Sequence, residues 1–522
     1  MKKIALGLFI TLMLLGCATA PVTQDANLLA KTQGYVFAYF PKTGAGNQLT
    51  VARVGTKETY TLLSRSEANG WGRWLPPGEY KISQWGTTPW GEYQTFTVKV
   101  GQVTDLGSLI PMSLGGYQYV ILPVKLKETE TAVQAPLREF SAQLATSEPI
   151  SWAPQTVPPI LKEVAPSTGL GLIVDIMNEY QRKVVKPSLN KQLLATKNPQ
   201  DFFKIAKSGS APSTDETPID AKGNLYFGAD FGQVRVRSSS GVWSSLDTAS
   251  LYPVTAVEVC GNNLVAGYAN GILKMSRDGG ATWVQVKDFG SAESVLDIDC
   301  LKERNIVITG QYAESPWAFK PLKNVRLYSG TQAGLNDLTQ LYNHDIPASQ
   351  QGGILQIRGE QLQDKYVFIV PVSLFSLDLK TNQITDISKE KKVNGFHVTP
   401  NSQIITAWLA AGAFSDTYIS TNAGQSWKEI DSPSLQINDI IFDSETKGIA
   451  TRISPGMFTA TPEFNNYDAV KNKWVKDYDG LTSCNVLLHN EKNKVQFCVA
   501  PGGNIFSYDK ANKKWQAEFI VD

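Results

Sequence analysis

The chain has 522 residues, too many for one ordinary domain, so two or three are expected. Hydrophobic residues at 42% and charged residues at 19% exclude a disordered chain, and 10% aromatics with 42 glycines lean towards β structure. A formal net charge of +1 with no Lys/Arg block gives no electrostatic footprint for nucleic acid.

At the N-terminus Lys2 and Lys3 precede an apolar run that ends in Leu14-Leu15-Gly16-Cys17. This is the pattern of a secretory signal peptide over residues 1–16, too short for a membrane-spanning helix. The Leu-Leu-Gly-Cys ending resembles the bacterial lipobox. That resemblance implies cleavage before Cys17 and acylation, palmitate included, of Cys17 as the mature N-terminus; an ordinary signal peptide with an unrelated cysteine is the alternative. Three acyl chains would anchor the protein stably, since two already suffice. Ala18, where Asp would stand in the opposite case, implies by bacterial sorting rules the outer membrane, on its periplasmic side or exposed at the surface. No later stretch is long and apolar enough to span a bilayer.

Residues 17–33 read as a tether. From Gly34 the alternation has period two, with Tyr35, Phe37 and Tyr39 on one face and Val36, Ala38 and Phe40 on the other. Further strands are expected over 49–54, 59–63, 78–85, 93–100 and 116–124, separated by Pro/Gly turns, which gives a β-sandwich over 34–128. The turn Leu75-Pro76-Pro77-Gly78-Glu79-Tyr80 followed by Thr97-Val98-Lys99-Val100-Gly101-Gln102 resembles the PEGA-like sandwich domains of bacterial lipoproteins. Trp71, Trp74, Trp85 and Trp90 cluster here, either as core or as a platform for a glycan or partner.

Residues 129–215 form a linker with short helices. Leu170, Ile173, Val174 and Met177 recur at helical spacing, and Asn198-Pro199 before Phe202, Phe203 and Ile205 reads as N-cap, first-turn proline and short amphipathic helix. Such short helices need a neighbouring domain to pack on.

From Leu225 the chain repeats. An apolar run recurs at Leu225, Leu264, Ile306, Tyr366, Ile404, Gly448 and Val495, each followed by a polar turn and one apolar residue: Trp243, Trp283, Leu338, Ile384, Trp427, Trp474 and Trp515. The unit length is that of a four-stranded propeller blade, so residues 216–522 are expected to form a β-propeller and the whole chain to be all-β. Seven blades are counted. The first lacks a good innermost strand, which leaves six as the alternative.

Two of the polar turns carry a motif. Ser276-Arg277-Asp278-Gly279-Gly280-Ala281-Thr282-Trp283 matches every fixed position of Ser-x-Asp-x-Gly-x-Thr-Trp, and Ser420 to Trp427 matches with Asn422 for Asp and Ser426 for Thr, keeping Gly424. This resembles the Asp-box, or BNR repeat, of sialidase-like, sortilin-type and photosystem assembly-factor propellers. The physical role expected is structural: the carboxylate caps turn N–H groups, glycine permits φ > 0, and the tryptophan packs between sheets on the turn joining third and fourth strands. The sialidase resemblance would also require an Arg-Ile-Pro signature and three convergent arginines. The first unit reads Val234-Arg235-Val236-Arg237, and nothing in the sequence brings Arg235, Arg304, Arg326, Arg358 and Arg452 together.

Four cysteines remain after Cys17. In an exported, oxidising setting Cys484 would pair with Cys498 across a hairpin, and Cys260 with Cys300, each closing an alternating run one repeat apart. No catalytic, metal or cofactor constellation appears, the three histidines being scattered. The face opposite the Asp-box turns is the candidate binding face. Loops expected at 312–322, 342–353, 410–416 and 454–457 bring Tyr312, Trp317, His344, Phe414 and Met457 to it. The expected function is a non-catalytic, lipid-anchored cell-envelope scaffold that binds a protein partner. A glycan-binding or sialidase-like propeller and a surface adhesin are the alternatives.

Overall fold

The computed structural model describes residues 26–39, 49–65, 70–86, 88–90, 95–115, 118–124, 145–146, 161–162, 189–208 and, from 217 onward, all but 291–292, 313–321, 332–333, 348–356, 390, 400–401, 412–413, 434–436, 456–459, 482–483, 485, 491–494, 501–502, 510 and 522. The signal peptide, Cys17, the helix expected around Leu170–Met177 and most of the proline-rich stretch lie outside these. Within the expected tether, Ala26–Leu29 forms one helical turn.

The alternating segment becomes the strand Gly34–Tyr39, which pairs antiparallel with Gly70–Leu75 and parallel with Gln102–Gly115. Neither partner was expected from the sequence. Along the sheet the order is Leu161–Lys162, Gln118–Val124, Gln102–Gly115, Gly34–Tyr39, Gly70–Leu75, Thr59–Arg65, Leu49–Arg53, Gly78–Trp85 and Thr88–Pro89, with Thr95–Val98 also on Gly78–Trp85. Strands far apart in this order share one interior, lined by Val36, Ala38, Val51, Trp71, Tyr80, Trp85, Trp90, Phe96, Leu109 and Ile121. Three of the four clustered tryptophans are therefore core, Trp71 lying edge-on to Trp85 at 5.1 Å. Trp74 is half-buried and packs edge-on against Tyr35 at 5.3 Å.

Both faces of Gly34–Tyr39 are used. Val36 and Ala38 point into the interior just described, whereas Tyr35 and Phe37, with Val103, join Tyr226, Val234, Tyr252, Val254 and Tyr268 from the repeat region. A second junction adds the helices Leu189–Ala195 and Pro199–Ser208, whose Leu193, Phe202 and Ala206 meet Ile110, Val120, Leu122 and Phe231. Pro199 opens its helix where a missing N–H costs nothing, and the Asn198 carbonyl accepts the Phe202 N–H at 3.0 Å. At the other end, buried Arg235 donates to the Lys207 carbonyl at 3.1 Å and to Ser245 Oγ at 2.6 Å, satisfying a helix C-terminal acceptor. Burial lowers the Arg235 guanidinium to about 10.

The repeat region is a succession of antiparallel sheets, each with its strands in sequence order. Among the described residues the first sheet has three strands (Leu225–Ala229, Gln233–Arg237, Trp243–Asp247) and six more have four, their innermost strands being Val254–Cys260, Glu293–Cys300, Gly359–Leu362, Gly395–Val398, Ile437–Ser444 and Val486–Asn490. Of the weak innermost strand expected for the first unit, the described residues include one bridge, between Ile219 and Leu225. From the first sheet to the seventh, the leading strand of each contacts the leading strand of the next. The first sheet also packs on the last: Leu225, Phe227 and Trp243 share a cluster with Phe497, Val499, Ile505 and Phe519. Arg237 forms a bidentate pair with Glu518 across that seam, at 2.8 and 3.1 Å. The sheets thus close into a ring, the arrangement of a β-propeller.

Both disulfides are present with the expected pairing. Cys260–Cys300 joins the ends of two successive innermost strands. Cys484–Cys498 is not a cross-hairpin pair, because Leu487 stands opposite Cys498; Cys484 lies on the connection ahead of that hairpin.

Candidate functional site

The polar turns show how a few residues fix a blade. Ser276 Oγ donates to Asp278 Oδ1 and accepts the Gly280 N–H, both at 2.7 Å. Asp278 in turn accepts the Thr282 N–H at 2.9 Å and the Thr282 hydroxyl at 2.5 Å. The hydrogen bonds from Thr282 and Ser276 hold the Asp278 carboxyl down at about 2. Gly280 has φ +97°, and a Cβ there would lie 2.4 Å from Leu246 of the preceding sheet, so glycine is required on two counts. The second turn uses the same scheme, with Ser420 accepting the Gly424 N–H at 2.9 Å and Asn422 Oδ1 accepting the Ser426 N–H at 2.9 Å. Here the direction of one bond reverses, since Asn422 Nδ2 donates to Ser426 Oγ at 2.8 Å.

The tryptophans after these turns tie neighbouring sheets. Trp427, Trp474 and Trp515 donate from Nε1 to the carbonyls of Ile387, Asp431 and Asp479 of the sheet before, at 2.7, 2.6 and 3.1 Å in the order Trp474, Trp427, Trp515. Trp283 instead donates to Gly280 within its own turn, at 3.1 Å. The third sheet has an equivalent that the motif did not reveal: Asp337 accepts the Thr331 N–H at 3.1 Å and its hydroxyl at 2.5 Å.

The candidate binding-face residues are only partly described. Trp317 and Met457 lie outside the described residues, as does the side chain of Phe414. Two of the loops expected there, 342–353 and 410–416, are shortened by strand pairing, whereas 312–322 keeps its expected ends. Tyr312 ends a strand opposite Leu322, and His344 lies within Thr339–Asp345 opposite Val325. Phe414 begins a strand opposite Ala411. Pairing with the preceding strand outweighs the polar residues that read as loop. His344 is half-buried beside Tyr342 and Phe375, its Nδ1 3.2 Å from the Tyr342 hydroxyl, and burial lowers its pKa. Its surroundings are those of a packed aromatic cluster between sheets.

Nor do the arginines converge. Arg235 caps a helix, Arg304 bonds Asn382 at 2.6 Å and the Leu379 carbonyl, Arg326 pairs with Glu293, Arg358 bonds the Phe396 carbonyl, and Arg452 pairs with Glu463 at 2.8 Å.

A carboxylate group on the innermost strands was missed. Asp297 Oδ2 accepts the Gly359 N–H at 2.7 Å and the Tyr366 hydroxyl at 3.2 Å, and Asp299 also accepts from Tyr366, so the third sheet is bonded to the fourth. Burial, then the charges of Asp297 and Glu258, hold Asp299 protonated well above the usual carboxylate range. Glu258 on the second sheet is pushed up to about 8, by burial first and then by Asp297. These groups bond across the ring; among the described residues no set of three or more His, Cys, Asp or Glu side chains could hold a metal ion.

The open space lies on the other side of the ring. A cavity of about 670 Å³ sits between the second and third sheets, at the end where first strands turn into second and third into fourth. Its walls are Cys260, Cys300 and Asn305; Met275, Val286, Leu301 and Leu335 give it an apolar surface, and Asn263, Gln285, Asn336 and Arg277 line it with polar groups. This is the face of the Ser276 and Ser420 turns, not the face favoured from sequence. Arg277 occupies a variable position of the motif, which is why the motif itself did not signal it. No helix among the described residues is long and apolar enough to cross a membrane.

No family model matches the chain, and no curated protein matches it. Among solved structures it is similar to YCF48 from Cyanidioschyzon merolae, with 13% identity, a TM-score of 0.43, and 58% of this chain and 97% of that one covered. It is similar also to YCF48 bound to D1 peptide (14% identity, TM-score 0.43, 58% and 94% covered). Saccharomyces cerevisiae Sqt1 matches at 11% identity and a TM-score of 0.42, with 60% and 88% covered. At these values the similarities carry no argument about partners; the propeller rests on the closed ring of sheets.

Proposed function

We propose that the chain is a non-catalytic, lipid-anchored interaction protein of the bacterial cell envelope. In this reading a seven-bladed propeller over 216–522 binds a protein partner. A β-sandwich over 34–128 and a helical linker over 129–215 brace it, and acylated Cys17 holds it at the outer membrane, on the periplasmic side. The first sheet, with three strands and a bridge among the described residues, counts as one blade.

The observation that carries the reading is the chemistry of the cavity between the second and third sheets. Amides, a guanidinium, aliphatic groups and a disulfide line it. Such groups bind; none of them exchanges a proton near neutral pH, as general acid–base catalysis demands. Two native disulfides agree with an exported chain.

Two measurements test it. Metabolic labelling with palmitate should tag the wild type and not Cys17→Ser, and the tagged protein should fractionate with outer membranes. Crosslinking in intact envelopes should then return a reproducible protein partner. A soluble, unlabelled wild type would overturn the anchor, and absence of any crosslinked partner would overturn the interaction reading.

A further inference from the structure

We infer that the cavity between the second and third sheets takes a peptide carboxylate next to an aliphatic side chain, with Arg277 as its counter-ion. The inference rests on the interaction reading above and names the chemistry of the partner.

The first support is charge. Arg277 is exposed and lines the cavity, and among the described residues it makes no hydrogen bond or ion pair. Among the described residues the adjacent Asp278 makes no ion pair with it, its oxygens accepting instead from Ser276 and Thr282. No Asp or Glu lines the cavity, so the one formal charge in it is positive. An anion is the complementary ligand, and a guanidinium offers a carboxylate two parallel donors.

The second support is the arrangement of the neutral polar groups. The side chains of Asn263, Gln285 and Asn336 have no partner among the described residues, unlike Asn305, whose Nδ2 is spent on the Thr331 carbonyl at 2.9 Å. Each free amide offers both a donor and an acceptor, which matches the peptide backbone. The third is what the lining lacks among its residues. There is no aromatic ring for a sugar face to stack on, whereas Met275, Val286, Leu301 and Leu335 supply an aliphatic surface. A glycan acid would use Arg277 and waste that surface. A peptide end with an aliphatic side chain uses both, in the manner of carboxylate-capture sites. The Cys260–Cys300 disulfide spans the two sheets and fixes the cavity walls relative to each other.

The probe is a fluorescent hexapeptide ending in leucine with a free carboxylate, titrated against the whole disulfide-bonded protein by fluorescence polarisation. Binding is expected, and Arg277→Ala should weaken it about tenfold or more, as loss of a charged hydrogen bond does. Arg277→Lys should restore part of it, and Asn336→Trp, at an exposed rim position, should block it. A C-terminally amidated peptide that binds weakly assigns the carboxylate to a chain end; an amidated peptide with internal Glu beside Leu that binds equally assigns it to a side chain, and either result supports the inference. Equal binding by wild type and R277A, or no binding by any peptide, overturns it. Should wild type and N336W crosslink the same envelope partner equally well, the cavity is not the docking site while the interaction reading stands.

Discussion

The ring closes on one ion pair, and its removal is the sharpest test of the architecture. Arg237 and Glu518 stand 281 residues apart and are joined by two bonds of 2.8 and 3.1 Å. Their side chains are 12% and 11% exposed, so solvent screens the pair only in part. Glu518 also accepts from Ser507 at 2.7 Å, and the Arg237 guanidinium lies 4.8 Å over the Phe497 ring. Removing one partner of a buried pair costs about 3–5 kcal/mol, mostly because a charge is left behind unpaired. With about a tenth of each side chain still in water, Arg237→Ala and Glu518→Ala should each cost about 3 kcal/mol. The double variant should cost much less than the sum, with a coupling of about 1.5–3 kcal/mol in equilibrium urea unfolding. Burial raises the Glu518 pKa, but Arg237 and Ser507 outweigh it and leave the group below its ordinary value. The stability this contributes is present above the unfolded pKa of about 4.3 and is lost as pH falls through the lower folded value. R237A should therefore flatten the acid limb of the stability curve. A coupling under about 0.5 kcal/mol, or an unchanged acid limb, would refute the view that this pair fastens the first sheet to the last.

Three further outcomes follow from groups elsewhere in the ring. Glu258 keeps its proton up to about 8, so between pH 4.3 and 8 the unfolded chain ionises there while the folded one does not, and stability falls as pH rises. Glu258→Gln should consequently raise the thermal midpoint at pH 7 and leave it unchanged at pH 4, as read by differential scanning fluorimetry. For the disulfides, chain entropy over separations of 40 and 14 residues gives about 4 kcal/mol lost with Cys260→Ser/Cys300→Ser and about 3 kcal/mol with Cys484→Ser/Cys498→Ser. Denaturant midpoints that rank the other way would argue against this origin. Asp278→Ala should speed amide exchange at Thr282, which donates to the lost carboxylate, and Asp278→Asn should do so less, since Asn422 fills the same place in the fifth sheet. Equal protection in D278A and wild type would remove the carboxylate from the account of the turn.

What the sequence made legible was local. The Ser276 and Ser420 turns are self-contained networks within eight residues, and the alternation over Gly34–Tyr39 directly encodes which side chains face which core. The strands Gly70–Leu75 and Gln102–Gly115 escaped because glycine and proline interrupt their alternation, and pairing with Gly34–Tyr39 extends them. In the latter, Gly107 at φ +73° with its N–H on Asp105 Oδ1 at 2.8 Å marks a local irregularity in register. Asp297 and Asp299 alternate with Leu296 and Ile298, which on a sequence is the signature of a solvated face; Gly359 and Tyr366, over 60 residues on, bury that face instead. The cavity was illegible for the same reason. Its lining comes from turns of two sheets, and no single stretch carries its pattern.

The two-sided use of Gly34–Tyr39 has a mechanical consequence that can be measured. Tyr35 and Phe37 are almost fully buried against the ring, each burial favouring the docked arrangement by about 1.5–3 kcal/mol. A second contact through Leu193, Phe202 and Phe231 makes the junction broad and leaves little freedom for the strands before residue 125 to swing against the sheets. The leading strand of the second sheet contributes Val254 and Val257 to that junction and Cys260 to the cavity. The cavity is therefore held at a fixed place relative to the N-terminal strands, and not at the end of a flexible arm. Phe37→Ala removes one side of the contact and should cost about 3–5 kcal/mol. Because Phe37 faces the ring and not the interior of its own sheet, the loss should appear as uncoupling: two thermal transitions in place of one, with the later transition at the position of the wild-type ring. Val36→Ala, on the opposite face of the same strand, should lower the stability of the N-terminal sheet without shortening the time for which the ring resists protease. If both variants gave the same single transition and the same cleavage pattern, the two faces of the strand would not be doing different jobs, and the fixed placement of the cavity would lose its structural basis.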